Sequence, residues 1–246
     1  MGTSLSLFAS CGTGLLSIDY AMRLCDEYDY VVVGSGDASV FRVAMKYFNA
    51  IGAIGNYNCP FDDKREGFVM GEGAGCLILQ SPEKVKEYES KVYAKLYPVG
   101  SASDAYDLTS PANDGRGAKM SMDKALKYVD HVDAVSAHAT STPIGDPIEY
   151  NAIVDKLGSV PIYAPKSKIG HTLAGSGILE AIIAIESMRN GIIPHCQNLN
   201  NCSFDENNLL VREPKSVSSD TIRTLNNSFG FGGKCASQVI EVNRNE

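Results

Sequence analysis

What most constrains this chain is a recurring unit: a short apolar run of strand length ends at a glycine-bearing turn, and a helical spacing can follow. Leu5-Ser6-Leu7-Phe8 alternates like a strand and runs into Ser10-Cys11-Gly12-Thr13-Gly14, after which Leu15, Ile18, Met22 and Cys25 recur at helical intervals. Tyr30-Val31-Val32-Val33, ending at Gly34-Ser35-Gly36, reads as a buried parallel strand with its turn. Cys76 to Leu79 is a second such run, after Gly71 to Gly75. These glycines are read as tight turns and close packing rather than as dinucleotide cradles, so no cofactor is assigned to them. Units of this kind predict an α/β layered fold.

The polar stretch from Ser81 to Ser90 carries five charges and is the natural internal boundary, dividing the chain into 1–88 and 89–246. Beyond it the alternation starts again. Strands are predicted at Val92 to Tyr97, Ala134 to Ala137, Pro161 to Ala164 and Gln238 to Val242, and helices around Lys119 to Tyr128, Pro147 to Leu157 and Leu179 to Arg189. With 246 residues, 44% of them apolar, the chain has enough material for a real core.

The net charge of -7 and the lack of any Lys/Arg-rich run argue against nucleic-acid binding, which needs a basic face. No apolar stretch reaches transmembrane length, and MGTSLSLFAS has neither a charged start nor a long apolar centre, so a cytoplasmic protein without membrane attachment is expected. Met1-Gly2 with Ser6 fits the loose myristoylation pattern, but the strand reading of the same residues takes precedence. Seven cysteines without CxxC or paired-histidine spacing point to reduced thiols, with neither a disulfide framework nor a metal site.

Cys11 sits where strand becomes helix, and a helix N-terminus favours thiolate. Taken alone, such a cysteine reads more readily as a filler of the strand-to-helix corner. Two histidines shift that balance: His138 follows a predicted strand, and His171, preceded by Lys166-Ser167-Lys168-Ile169-Gly170, precedes a helix rich in small residues. Ends of elements in an α/β sheet are where sites are assembled. With Lys166 and Glu180 they form a candidate set of nucleophile, hydrogen-bond donors and orienting ion pair. In Asn227-Ser228-Phe229-Gly230-Phe231-Gly232-Gly233 the glycines permit a sharp turn whose N–H groups can receive an oxyanion. The segment is no Walker loop, because Lys234 is followed by Cys235.

In order, Cys11-x-x-Gly14, Pro60-Phe61-Asp62-x-x-Arg65-x-Gly67-Phe68-Val69-x-Gly71-Glu72-Gly73, His138-Ala-Thr-Ser-Thr-Pro-x-Gly-Asp146, Lys166-x-x-x-x-His171 and Asn227-Ser-Phe-Gly-Phe-Gly-Gly233 resemble the β-ketoacyl-[acyl-carrier-protein] synthase family. The resemblance implies a thiolase-like layered α-β-α-β-α fold, with the C-terminal half complete and the N-terminal half partial. It implies that Cys11 takes an acyl group from the phosphopantetheine arm of acyl carrier protein, and that His138 and His171 stabilise the enolate left when a malonyl unit loses carbon dioxide. Lys166 and Glu180 match the pair supporting the second histidine, Thr140, Thr142 and Phe229 match residues along the pantetheine arm, and the N–H groups of Cys11 and Phe231 match the oxyanion hole, with Phe231 also a gate. No cofactor is implied.

The chain departs from the family's pattern at Ala139, at Ala164-Pro165 and at Lys234. Family members also carry a long segment ahead of the cysteine strand, which supplies central strands of the first sheet. The expectation is that Leu5 to Phe8 lacks neighbours, and that the chain forms a homodimer, takes a complementing N-terminal chain, or is a degenerate fragment. Two other functions are weighed: a non-catalytic partner that binds acyl carrier protein or a full-length synthase, and a Cys-His hydrolase, for which no third orienting residue is found.

Overall fold

The structure is a computed structural model that describes residues 2–245. In chain order its elements are α1 (Thr13–Leu24), β1 (Val31–Asp37), α2 (Arg42–Ala50), β2 (Gly73–Leu79), α3 (Pro82–Glu87), β3 (Lys95–Leu96), β4 (Gly100–Ser103), α4 (Arg116–Ala125), β5 (Ala134–Ser136), α5 (Gly145–Leu157), β6 (Ile162–Tyr163), α6 (Lys166–Ile169), α7 (Ser176–Arg189), β7 (Ile192–Ile193), β8 (Lys215–Ser216), β9 (Thr221–Gly230) and β10 (Lys234–Asn243).

The larger sheet has the order β3-β10-β9-β5-β6, with β4 also on β10. Its spine is the antiparallel β9–β10 hairpin, in register from Lys234↔Gly230 to Asn243↔Thr221, on which β5 lies parallel and β6 parallel to β5. One face of this sheet carries α4, which also packs on α5; the other carries α7 and α1. Helix α7 is apolar nearly all round, as a helix between two sheets must be, and it buries Ile178, Ala181, Ala184, Ile185 and Met188. Its far side and α1 meet the two-stranded β1–β2 sheet, so the layers run α4/α5, six strands, α1/α7, two strands.

Three expectations change. Leu5 to Phe8 is not a strand: no ladder forms among the described residues, and Phe8 is 90% exposed. Strand pairing needs a neighbour with free N–H and C=O groups, and among the described residues no strand pairs with this segment. β1 is antiparallel to β2 rather than parallel, and only one of its faces is covered: Val31 and Val33 point inward while Val32 is 68% exposed. Gly34 to Gly36 and Gly73 to Gly75 lie within these strands rather than in turns: a Cβ at Gly73 or Gly75 would stand 2.9 or 2.8 Å from Leu179 Cδ1 or Ile182 Cδ1 on α7, and one at Gly36 would stand 2.7 Å from Ala74 Cβ on β2.

The polar stretch read as a boundary contains α3, started by Pro82 in its first turn and by Ser81 Oγ accepting from Lys84 N at 3.3 Å. Among the described residues no helix is long and apolar enough to cross a membrane.

Candidate active site

The site forms where α1, α6, α7, the loop after β5 and the tip of the β9–β10 hairpin converge. Cys11 is placed by a tight turn: Ser10 takes φ +53°, Ala9 N donates to Thr13 Oγ1 at 2.9 Å, and Thr13 Oγ1 donates to Ser10 O at 2.6 Å. Ser228 Oγ donates to Cys11 O at 2.9 Å, fixing the cysteine to β9. Glycine is required beside it. A Cβ at Gly230 would lie 3.1 Å from the backbone nitrogens of Cys11 and Gly12, and one at Gly14 would lie 2.7 Å from Ile178 N and 2.8 Å from Gly177 Cα. Helices α1 and α7 therefore touch backbone to backbone, which brings the residues ahead of α7 up to the cysteine.

His171 stands just ahead of α7, its own N donating to Val69 O at 2.8 Å and its O accepting from Gly71 N at 3.0 Å. Its Nε2 is 3.2 Å from Cys11 Sγ, and its Nδ1 is 3.0 Å from Ser176 Oγ. His138 meets it edge to face, with ring centroids 5.5 Å apart at 88°. Phe68 packs on His171 at 5.2 Å and Phe229 on His138 at 5.6 Å, which gives the imidazoles apolar walls.

Lys166 Nζ lies 3.3 Å from His138 Nδ1 and is ion-paired with Glu180, both side chains being fully withdrawn from solvent. The sequence resemblance attached this pair to the second histidine, whereas the hydrogen bond of Lys166 Nζ runs to the first. The carboxylate of Glu149 fixes the loop of His138 by accepting from His138 N at 2.8 Å, Ala139 N at 2.7 Å and Asn227 Nδ2 at 3.1 Å. Asp146 accepts from Phe61 N at 2.7 Å and Thr142 N at 3.3 Å, while Arg65 donates to the carbonyls of Thr142 and Pro143 at 3.1 Å. The Pro60–Arg65 motif thus acts as a brace for the threonine loop. Thr140 and Thr142 face each other, Oγ1 to Oγ1, at 3.3 Å. Ala139 (φ +22°), Ser141 (φ +66°) and Leu173 (φ +45°) are left-handed, so backbone strain gathers beside the histidines.

Cys11, His138, His171, Thr142, Phe229 and Phe231 all line one cavity of about 360 Å³. Phe231 is at the hairpin tip, which Gly232 N ties to Leu108 O at 2.8 Å. Every candidate residue read from the sequence is thus in the cavity wall or, as with Lys166 and Glu180, directly behind it. Glu149, Ser176 and Ser228 were not singled out. For Glu149 a signal was available, three residues after Asp146 in the first turns of the helix that follows the threonine loop; a lone serine such as Ser176 or Ser228 carries none. Among the described residues no group of three or more His, Cys, Asp and Glu is arranged to hold a metal ion.

Burial dominates the electrostatics. It pushes the Cys11 thiol up to about 11, against the pull of the Lys166 charge and of the cysteine's own N–H. The sequence favoured a thiolate; α1 begins at Thr13, two residues later, and its dipole does not outweigh lost hydration. Burial and then the Lys166 charge hold both His138 and His171 well below the usual imidazole value, so both rings are neutral at pH 7. Burial raises Glu180 to about 7 against the attraction of Lys166, and Asp146 to about 7 against its backbone hydrogen bonds. A protonated sulfur facing two neutral imidazoles in an apolar chamber suits acyl transfer in which N–H donors meet developing oxyanion charge.

Residues 1–84 match the family model described as beta-ketoacyl synthase, N-terminal domain, and residues 93–200 match its C-terminal domain counterpart. A mitochondrial 3-oxoacyl-[acyl-carrier-protein] synthase of Arabidopsis thaliana is 34% identical over 97% of this chain and 56% of its own length. The 3-oxoacyl-[acyl-carrier-protein] synthase 2 of Vibrio cholerae is 32% identical over 98% of this chain and 62% of its own. The chain thus spans roughly three fifths of the relatives it matches. Among solved structures, the ishigamide ketosynthase/chain length factor superposes with a TM-score of 0.86 at 28% identity, over 95% of this chain and 59% of that one. The AntDE:AntF complex, a type II polyketide ketosynthase with its acyl carrier protein, does so with 0.86 at 29%, over 95% and 61%. The thiolase-like layered fold expected from the sequence is the fold these ketosynthases share with the chain.

Proposed function

The chain belongs to the β-ketoacyl synthase family, and from that membership we propose that it catalyses decarboxylative condensation of an acyl thioester with a malonyl thioester in fatty acid or polyketide elongation. The observation that carries the reading is Cys11 Sγ 3.2 Å from His171 Nε2, with His138 facing the same cavity. In the first half-reaction the Cys11 sulfur attacks the acyl carbonyl, its proton goes to the departing carrier thiol, and the backbone N–H groups of Cys11 and Phe231 receive the oxyanion. In the second, a malonyl thioester held along Thr140, Thr142 and Phe229 loses carbon dioxide. His138 and His171 donate to the enolate oxygen, and the carbanion attacks the acyl-cysteine and releases Cys11. Lys166 and Glu180 act from behind His138 as support. No cofactor takes part in this scheme; substrates arrive on the phosphopantetheine of an acyl carrier protein, the partner that accompanies the ketosynthase in the AntDE:AntF complex.

A second chain is part of the proposal, as another copy of this one or a complementing chain. What supports it is the uncovered apolar face of β1–β2, where Val32 and Ile78, paired in register, are each 68% exposed.

The test is malonyl-thioester decarboxylation by the purified chain, alone and with candidate partner chains. Turnover lost in His138→Ala and in His171→Ala supports the reading and excludes a binding-only protein. No turnover under any of these conditions overturns it. An acyl group trapped on Cys11 that water releases as fast as a carbon nucleophile does would assign a hydrolase instead.

A further inference from the structure

Donation to an enolate oxygen requires each imidazole to carry its proton on Nε2, and a neutral ring can carry it on either nitrogen. The tautomer is set by whatever stands at Nδ1. For His138 that is Lys166 Nζ at 3.3 Å, a group with donors only, so Nδ1 accepts and Nε2 is protonated. For His171 it is Ser176 Oγ at 3.0 Å, and Ser176 Oγ is in turn 3.2 Å from Thr172 Oγ1.

We propose that Ser176 is a positioning residue whose hydroxyl donates to His171 Nδ1 and thereby holds that ring in the Nε2–H form facing Cys11. The inference deepens the condensation reading and rests on it for its catalytic meaning, though not for its geometry.

Counting protons selects the direction. Thr172 Oγ1, Ser176 Oγ and His171 Nδ1 make two contacts, and each contact takes one proton. If Thr172 donates to Ser176 and Ser176 to His171, both hydroxyl protons are used. In the reverse order the ring N–H donates to Ser176 and Ser176 to Thr172. The Thr172 proton is then left without an acceptor among the described residues, at a side chain with no solvent exposure. A buried donor left unpaired forfeits its hydration with nothing in return, so the first order prevails. A doubly protonated ring would evade the argument, but burial and the Lys166 charge keep His171 neutral. The site then has two donors of different kinds, an ammonium behind His138 and a hydroxyl behind His171, producing the same tautomer on both rings.

Nitrogen-15 NMR of the full chain with labelled histidine reads the tautomer directly, His171 being assigned by the signals missing in His171→Gln. The expected wild-type result is an unprotonated Nδ1 and a protonated Nε2; a protonated Nδ1 on His171 overturns the proposal without reference to any variant. In Ser176→Ala the two His171 nitrogen shifts are expected to move toward each other as the tautomers mix. The kcat of malonyl-thioester decarboxylation should fall about tenfold, the worth of one hydrogen bond, with KM unchanged. Unchanged shifts, or an unchanged kcat, in a Ser176→Ala chain that melts like wild type would also overturn it. A chain that never turns over defeats the condensation reading, while the spectrum still decides the tautomer.

Discussion

At pH 7 the sulfur of Cys11 keeps its proton, because loss of hydration raises it to about 11 while the Lys166 ammonium pulls it down. Alkylation of the Cys11 peptide by iodoacetamide, followed by mass spectrometry, should therefore accelerate through pH 9 to 11 with no plateau near neutrality, and Lys166→Met should move that rise to higher pH. A plateau below pH 8 would contradict the burial argument. Asp146 gives a second expectation. Its carboxyl is raised to about 7 in the folded chain, above its unfolded value. Between roughly pH 4 and 7 the folded state thus binds the extra proton, and the group's contribution to stability declines as pH rises through that window. Urea midpoints of Asp146→Asn relative to wild type should lose this decline; parallel pH curves would sink the expectation. At this scale the sequence was informative where side-chain chemistry is unusual. Cys11, His138, Lys166 and His171 stand out in it, whereas Glu149 and Ser176 act through hydrogen bonds that only the folded geometry creates.

Among the elements, α7 was legible because its length and apolar run leave a buried helix as the only economical reading, and α5 because Pro147 falls in its first turn and Gly158 directly follows its last residue, Leu157. β9 was not. Thr224, Asn226, Asn227 and Ser228 are all fully buried, so a central strand reads as polar, and the glycines at its end suggested only a loop. Those polar groups belong to the site: Asn227 holds Glu149, and Ser228 holds Cys11. Leu5 to Phe8 failed in the opposite sense, since alternation specifies a face and not a partner. The α1–α7 crossing is the joint on which the cysteine-to-imidazole distance depends. Gly14→Ala would place a methyl 2.7 Å from Ile178 N, against backbone that cannot rotate away. It should cost about 1–3 kcal/mol in urea unfolding and lower turnover by more than it raises KM. Wild-type stability and kcat in this variant would show the crossing to be slack.

For the molecule as a whole, Val32 and Ile78 form an exposed apolar pair on the β1–β2 sheet, and Phe8 and, on α2, Val43, Met45 and Tyr47 are also exposed. The purified chain should bind an apolar dye in native buffer, and sedimentation should show association that rises with concentration. Val32→Lys with Ile78→Lys should cut dye binding severalfold and leave the melting temperature nearly unchanged, because neither side chain contributes to the core. A monomer that ignores the dye would remove the case for a second chain. The overall layering was readable from the spacing of strands and helices. How the β1–β2 sheet is finished was not, because edge pairing depends on main-chain groups that every residue except proline offers alike.

The protonated state of Cys11 also bears on how such a protein ages. Peroxide attacks the anion of sulfur far faster than the neutral group, and the ladder from sulfenic to sulfonic acid begins with that attack. An idle chain is therefore shielded from oxidative loss by the same dehydration that leaves it a sluggish nucleophile at rest, and in the proposed scheme its window of vulnerability opens only as the acyl-cysteine breaks and the sulfur departs as an anion.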